Sequence, residues 1–130
     1  MQNNEITLLF RKPYLPVIII YEEQLYSTKS LNTLANILLS FNYPDNINTV
    51  KMIDSTAEEF WFMTQKNTLV PGFLCKRWTK KQIINLYNNY CEKNNIKSIY
   101  SLKSISNKKL RLIVNEISNL LRNKQLTRYW

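Results

Sequence analysis

Apolar and polar residues alternate differently in the two halves of this chain, and the first half has the pattern of strands. Apolar, β-branched and aromatic stretches cover residues 5–12 and 16–22, with a Pro-Tyr-Leu-Pro turn between them, which predicts a β-hairpin. Similar stretches at 49–54 and 58–63 predict a second strand pair around Ser55-Thr56-Ala57. The intervening and following segments lack this alternation.

Helical periodicity replaces it there, with apolar residues recurring at three- and four-residue spacing. A first helix is expected over residues 31–41 after Ser30, and a second over 80–93 after Thr79, because serine and threonine cap helix N-termini well. A last helix is expected over 106–123. Residues 67–77, which contain the only glycine, are expected to form a loop.

The resulting order, β-β-α-β-β, predicts an α+β fold. A small antiparallel sheet with one helix across a face buries this pattern economically within residues 1–75. Residues 76–130 are then a basic, amphipathic helical segment that packs on this core or extends it. A chain of 130 residues has the length of one ordinary domain, so we expect a single domain overall.

Charge divides the chain at the same place. The 18 basic and 9 acidic residues give a net charge of +9, yet residues 1–75 carry a net −2 and residues 76–130 a net +11. A cationic segment of this kind is attracted to phosphate backbones, anionic lipid or acidic protein surfaces.

Composition excludes several classes of enzyme. Without histidine, the chain lacks the usual general base and the commonest zinc ligand, and a single glycine does not suffice for a phosphate-binding loop. The two cysteines, Cys75 and Cys91, are too few for a cysteine-only zinc site, and we expect free thiols. We therefore predict a protein without catalytic activity, cofactor or metal.

The densest basic cluster lies at the start of the second predicted helix, where four cations surround Trp78. Lysine and arginine neutralise phosphates, and an exposed tryptophan can stack on a base. The alternative is that Trp78 packs on the core and that the cations are only solvated. The predicted nucleic-acid-binding residues in this cluster are Lys76, Arg77, Trp78, Lys80 and Lys81.

Further cations lie on the last predicted helix, roughly opposite its apolar stripe. One basic face could follow a phosphate backbone, although an ordinary solvated face explains the pattern equally well. The predicted contacts here are Lys108, Lys109, Arg111 and Arg122.

Carboxylates around the second strand pair raise the alternative of a divalent-metal site with nuclease chemistry. Asp54, Glu58 and Glu59 would have to gather with Glu22 and Glu23. The lysine that such nucleases need two residues after the acidic strand position is missing, so we expect solvated strand edges and turns instead.

Aromatic residues at 60–62 put large rings on both faces of one strand. One face belongs to the core, so the ring on the other face, predicted to be Trp61, must be covered by the helical segment or by a partner. Trp130 at the end of the chain is a second predicted partner-binding residue, as a docking tail or a frayed end.

The stretches at 53–55, 58–62, 69–73 and 76–83 resemble small conserved reading frames of unassigned function in cyanobacteria and red-lineage plastids. The resemblance covers about the middle third of the chain and carries over no catalytic residue. It implies a plastid setting. No stretch has the apolar length of a membrane span, and the N-terminus has no secretory pattern, so we expect a soluble intracellular protein.

Two functions fit these features. The first is a non-enzymatic accessory protein that binds RNA or DNA through its basic C-terminal half. The second is an assembly or regulatory factor that docks on an acidic partner in a plastid or cyanobacterial-type complex. Salt distinguishes them, because binding to a phosphate backbone weakens steeply as salt rises.

Overall fold

A computed structural model describes residues 6–72, 76–100 and 108–127, with side chains as far as Asn123 in the last range. In these ranges the fold is α+β, with a six-stranded, mostly antiparallel sheet and three helices. The elements are β1 (Thr7–Leu8), β2 (Val17–Tyr21), β3 (Gln24–Thr28), α1 (Leu31–Ser40), β4 (Thr49–Ile53), β5 (Glu59–Met63), β6 (Thr68–Pro71), α2 (Lys80–Lys93) and α3 (Leu110–Thr127).

The sheet has the strand order β1-β6-β5-β4-β2-β3. All neighbouring strands are antiparallel except β1 and β6, which run parallel. The strand pair predicted at 49–54 and 58–63 is confirmed as β4 and β5, with Met52 opposite Phe60.

The predicted hairpin between residues 5–12 and 16–22 is wrong. β1 pairs with β6, about sixty residues away, and β2 pairs with β3 instead. The β2–β3 turn consists of Glu22 and Glu23, which have φ angles of 50° and 64°. Glycine and asparagine are the usual residues in such left-handed turns, so two glutamates give no hairpin signal in the sequence.

Helices cover both faces of the sheet, which therefore forms the middle of three layers. α1 packs on one face, where β2, β4, β5 and β6 contribute Ile19, Met52, Phe60, Phe62 and Leu69 to the core. α2 and α3 pack on the other face, chiefly over β2 and β3, around Ile18, Leu25, Ile83, Val114 and Ile117. α2 and α3 thus pack on the sheet and share its core.

The helix starts follow local sequence signals. The side chain of Ser30 accepts a hydrogen bond of 3.1 Å from the backbone N–H of Thr33. Thr79 and Gln82 form a reciprocal capping box, in which each side chain accepts from the backbone N–H of the other residue. Consequently α1 and α2 begin where predicted. α3 begins at Leu110, and the start predicted for the last helix at residue 106 lies outside the described residues.

Candidate binding surface

A buried aspartate shapes the turn between β4 and β5. One carboxylate oxygen of Asp54 accepts hydrogen bonds from the backbone N–H groups of Thr56 and Glu58, at 2.9 and 3.1 Å. The other oxygen accepts from the backbone N–H of Tyr14 at 3.1 Å. Asp54 therefore joins this turn to the segment before β2 and has a structural role.

Glu59, the first residue of β5, binds two tryptophans. One carboxylate oxygen accepts from Trp61 Nε1 at 2.6 Å and the other from Trp78 Nε1 at 2.9 Å. Burial raises the pKa of Glu59, but the two indole hydrogen bonds and the nearby ammonium groups of Lys51 and Lys76 outweigh burial and leave this pKa lowered. The carboxylate thus stays charged and holds both indole rings in place.

Trp78 is half-buried and packs against the apolar cluster under α2 and α3. Its backbone N–H donates to the carbonyl oxygen of Ala57 at 2.8 Å, and the Lys76 ammonium lies 5.5 Å from the centre of its ring. The structure therefore shows the packed arrangement of Trp78. A stacking role for this ring stays a prediction.

Trp61 lies on the same face of the sheet as α2 and α3 but belongs to neither apolar cluster. Its cross-strand neighbours are Lys51 on β4 and Val70 on β6. Both helices pack mainly over β2 and β3, toward the β3 edge of the sheet, so this ring stays half-exposed. In the described ranges, α2 and α3 leave Trp61 half-exposed, and the partner-binding role predicted for it stays open.

A cavity of about 560 Å³ opens beside Trp61. We call it the Phe10 groove, and its lining consists of Phe10, Arg11, Glu58, Trp61, Val70, Pro71 and Gly72. Phe10 stands at this groove with 91% of its surface exposed and with a φ of 72°. A large apolar residue in the left-handed region is rare, and contiguous exposed apolar surface marks interaction sites.

Charged and backbone contacts define the wall of the groove. Arg11 forms an ion pair with the nearly buried Glu58, and its guanidinium lies 4.9 Å from the centre of the Phe60 ring. Gly72 donates its N–H to the carbonyl oxygen of Glu59 at 2.8 Å, and a Cβ at this position would lie only 3.0 Å from the same oxygen. A side chain here would press on β5, so glycine favours this close approach of β5 and the end of β6.

Sequence reasoning missed most of this groove. Residues 67–77 were expected to be a loop, whereas Thr68–Pro71 is a strand and supplies Val70 and Pro71. One signal was available. Glu58 precedes an apolar strand, and a buried carboxylate there requires a cation, for which Arg11 was a candidate.

The predicted basic cluster begins on a segment that backbone hydrogen bonds hold against the start of β5. Lys76, Arg77 and Lys81 are exposed, and Lys80 is half-buried. The backbone of Arg77 forms an isolated antiparallel β-bridge with that of Glu58. The N–H of Glu59 donates to the carbonyl oxygen of Lys76 at 2.9 Å. Within the described ranges, none of the four cations has a carboxylate oxygen within 4 Å.

The cations predicted on the last helix have different surroundings. Lys108 forms an ion pair of 3.0 Å with Glu116, whereas Lys109 and Arg111 are exposed. Arg122 is half-buried and donates a hydrogen bond of 2.7 Å to Ser118 Oγ. The predicted continuous basic face is therefore limited, because Lys108 and Arg122 have contacts inside the protein.

The carboxylates considered for a metal site do not form one. Glu22 and Glu23 lie in the β2–β3 turn, whereas Asp54, Glu58 and Glu59 have the contacts given above. Across the part of the chain that the structure describes, no group of three or more acidic or cysteine side chains is placed to hold a metal ion.

Cys91 is a buried thiol, as predicted, and Cys75 and Trp130 lie outside the described residues.

No helix in the described ranges is both long and apolar enough to span a membrane. No protein-family model, curated protein or solved structure that was compared matches this chain.

Proposed function

We propose that this is a binding protein without catalytic activity, and that the Phe10 groove docks an extended apolar segment of a partner protein. The observation that carries this proposal is the position of Phe10, a ring exposed over 91% of its surface beside a cavity of about 560 Å³. Contiguous exposed apolar surface marks interaction sites, and aromatic residues are enriched among those that dominate binding energies at protein interfaces.

The groove accommodates one large apolar side chain of the partner between two aromatic rings. Phe10 and the half-exposed Trp61 supply the rings, and Val70 and Pro71 supply aliphatic surface. Trp61 is held by its hydrogen bond to Glu59, so it loses little conformational freedom on binding. Pro71 has no N–H to donate, which disfavours addition of a further strand along this part of β6.

Charge favours an acidic partner segment. Lys51 lies next to Trp61 in the sheet, and both Lys51 and Lys76 are exposed close to Glu59. Arg11 contributes less, because it is already paired with Glu58. An apolar anchor flanked by aspartate or glutamate would complement this surface.

Defined peptides test this proposal directly. We would measure binding of peptides with a central leucine or phenylalanine and either acidic, neutral or basic flanks. The acidic series should bind best, and Phe10→Ser should weaken it at least tenfold, or about 1.4 kcal/mol. Ile99→Ser is the matched control, because Ile99 is also an exposed apolar residue, at 66%, but does not line the groove.

Two results would contradict docking at this groove. One is the absence of saturable binding by any peptide of the series. The other is an equal loss of affinity in Phe10→Ser and Ile99→Ser, since a general effect of surface hydrophobicity would then explain the binding.

A second candidate function is sequence-tolerant binding of RNA or DNA. The observation that favours it is the anchored segment before α2, where Lys76, Arg77 and Lys81 are exposed and have no carboxylate oxygen within 4 Å in the described ranges. Lys109 and Arg111 would extend the contact on α3. Its test is the salt series given in the Discussion. The plastid or cyanobacterial setting belongs to both proposals and rests on the sequence resemblance alone.

A further inference from the structure

A second cavity, of about 450 Å³, lies on the α3 side of the sheet, away from the Phe10 groove. Its lining consists of Leu15, Pro16, Lys29, Asn115, Asn119 and Arg122. Two of these residues are cations, two are amides and none is acidic. Asn115, Asn119 and Arg122 lie on one face of α3, because four- and three-residue steps bring side chains together on a helix.

Among the described residues, neutral groups hold Arg122 in this cavity. Its Nη1 donates to Ser118 Oγ at 2.7 Å, and its Nη2 donates to Asn119 Oδ1. Burial lowers the pKa of Arg122. In the described ranges no carboxylate oxygen lies within 4 Å of this guanidinium, so its charge is half-buried without a counter-ion.

Two buried hydroxyl groups, those of Ser27 and Ser118, set the orientation of Arg122. Ser27 donates its hydroxyl hydrogen to the carbonyl oxygen of Val17 at 2.8 Å, so its oxygen is left to accept. Ser118, which contacts Ser27 Oγ, can therefore donate to Ser27 and accept from Arg122. Ser27 Oγ also accepts a longer hydrogen bond of 3.4 Å from Arg122 Nη1, so the two hydroxyl groups together tie the guanidinium to the sheet.

We propose that this cavity, the Lys29–Arg122 pocket, binds the phosphate group of a small phosphorylated molecule. Arginine presents several donors in a planar fork that matches phosphate oxygens, and Lys29 adds a second positive charge on the cavity wall. The volume exceeds that of one oxyanion and lies within the range of ordinary ligand sites, about 300–1,000 Å³. The pocket therefore has room for the organic part of a phosphate monoester.

The proposal is independent of peptide docking, because no residue lines both cavities. Calorimetric titration at constant ionic strength would compare ribose 5-phosphate, inorganic phosphate and ribose. We expect saturable binding of ribose 5-phosphate, weaker binding of inorganic phosphate and no binding of ribose. Affinity for the phosphate forms should rise between about pH 5 and 7, where a phosphate monoester gains its second charge.

Variants locate the site. Lys29→Gln and Arg122→Gln should each weaken ribose 5-phosphate binding at least tenfold, whereas Arg122→Lys should retain part of it. Arg111→Gln is the matched control, because Arg111 is a cation of the same helix that does not line the pocket. Lys29 is exposed, so its variant should fold normally and keeps the test decisive if Arg122→Gln is unstable.

Three outcomes would overturn the proposal. The first is the absence of saturable binding by both phosphate forms. The second is an equal loss of affinity in Arg111→Gln and Lys29→Gln, which would indicate general charge attraction. The third is that a single-stranded oligonucleotide binds in a way that depends on Lys29 whereas ribose 5-phosphate does not bind. In that case the pocket contacts a nucleic-acid backbone.

Discussion

The indole N–H of Trp78 donates a hydrogen bond of 2.9 Å to the carboxylate of Glu59, nineteen residues earlier in the chain. This contact ties the start of α2 to β5. The same carboxylate accepts from Trp61, which borders the Phe10 groove. The buried carboxylate of Glu59 thus positions both the start of α2, through Trp78, and the aromatic wall of the Phe10 groove, through Trp61.

Replacing Glu59 with glutamine should make stability less dependent on pH. The folded pKa of Glu59 lies below its ordinary value of 4.5, so the carboxylate stabilises the fold fully above that value. This contribution is lost as pH falls through the folded pKa. Denaturant unfolding of the parent and of Glu59→Gln should therefore differ most near pH 7 and converge toward pH 3. A constant difference across this range would contradict the role given to the charge.

Glu116→Gln is an informative comparison. The pKa of Glu116 is also lowered: burial raises it, but hydrogen bonds from Tyr100 and Lys108 outweigh burial. Its stability effect should have the same sign and the same loss in acid. Only Glu59→Gln should also change the fluorescence of Trp61 and Trp78, because only Glu59 contacts both indoles.

Replacing Trp78 should chiefly lower the free energy of unfolding, because its ring packs against the core. Full truncation of a buried aromatic residue costs about 3–5 kcal/mol, and the half-buried position reduces this to about 2 kcal/mol for Trp78→Ala. Trp78→Phe should cost less, because it keeps an aromatic ring in the packed position and loses the hydrogen bond to Glu59 and part of the ring surface. Unfolding curves of both variants measure this. An unchanged midpoint for Trp78→Ala would show that the packing contributes little.

Asp54→Asn should destabilise the fold although the two side chains have the same shape. An amide can keep one oxygen toward Thr56 and Glu58, but its NH₂ group would then face the N–H of Tyr14. Two donors facing each other leave a buried group unsatisfied, at a cost of about 1–3 kcal/mol. Denaturant unfolding provides the measurement. Full stability of Asp54→Asn would mean that the Tyr14 contact is dispensable.

The exposed cations before α2 predict a salt-dependent affinity if the protein binds nucleic acid. The variant with Lys76, Arg77 and Lys81 all changed to alanine should bind RNA and DNA more weakly, with the slope of log affinity against log salt reduced by roughly one for each lost phosphate contact. Lys12, Lys66 and Lys97 are exposed cations outside this cluster and outside the Lys29–Arg122 pocket, and their triple alanine variant is the charge-matched control. Equal binding by the parent and the Lys76/Arg77/Lys81 variant at every salt concentration would reject this function.

The sequence by itself determined the elements that depend on nearby residues. α1 and α2 were predicted because Ser30 and Thr79 cap their first turns and apolar residues follow at helical spacing. The β4–β5 pair was predicted for a similar reason, since a short turn joins its two apolar strands. Hydrogen bonds within a helix or a short hairpin join residues close in sequence, so local patterns carry this information.

The tertiary structure alone decided which distant segments meet. β1 lies beside β6 rather than β2, and no local pattern records that choice because the two strands are about sixty residues apart. The Phe10 groove and the Lys29–Arg122 pocket depend on such long-range contacts, since each gathers residues from distant parts of the chain. The state of each cation was decided in the same way. Lys108 and Arg122 have inward contacts whereas Arg111 is exposed, because a side chain's partners depend on packing and not on its own sequence neighbours alone.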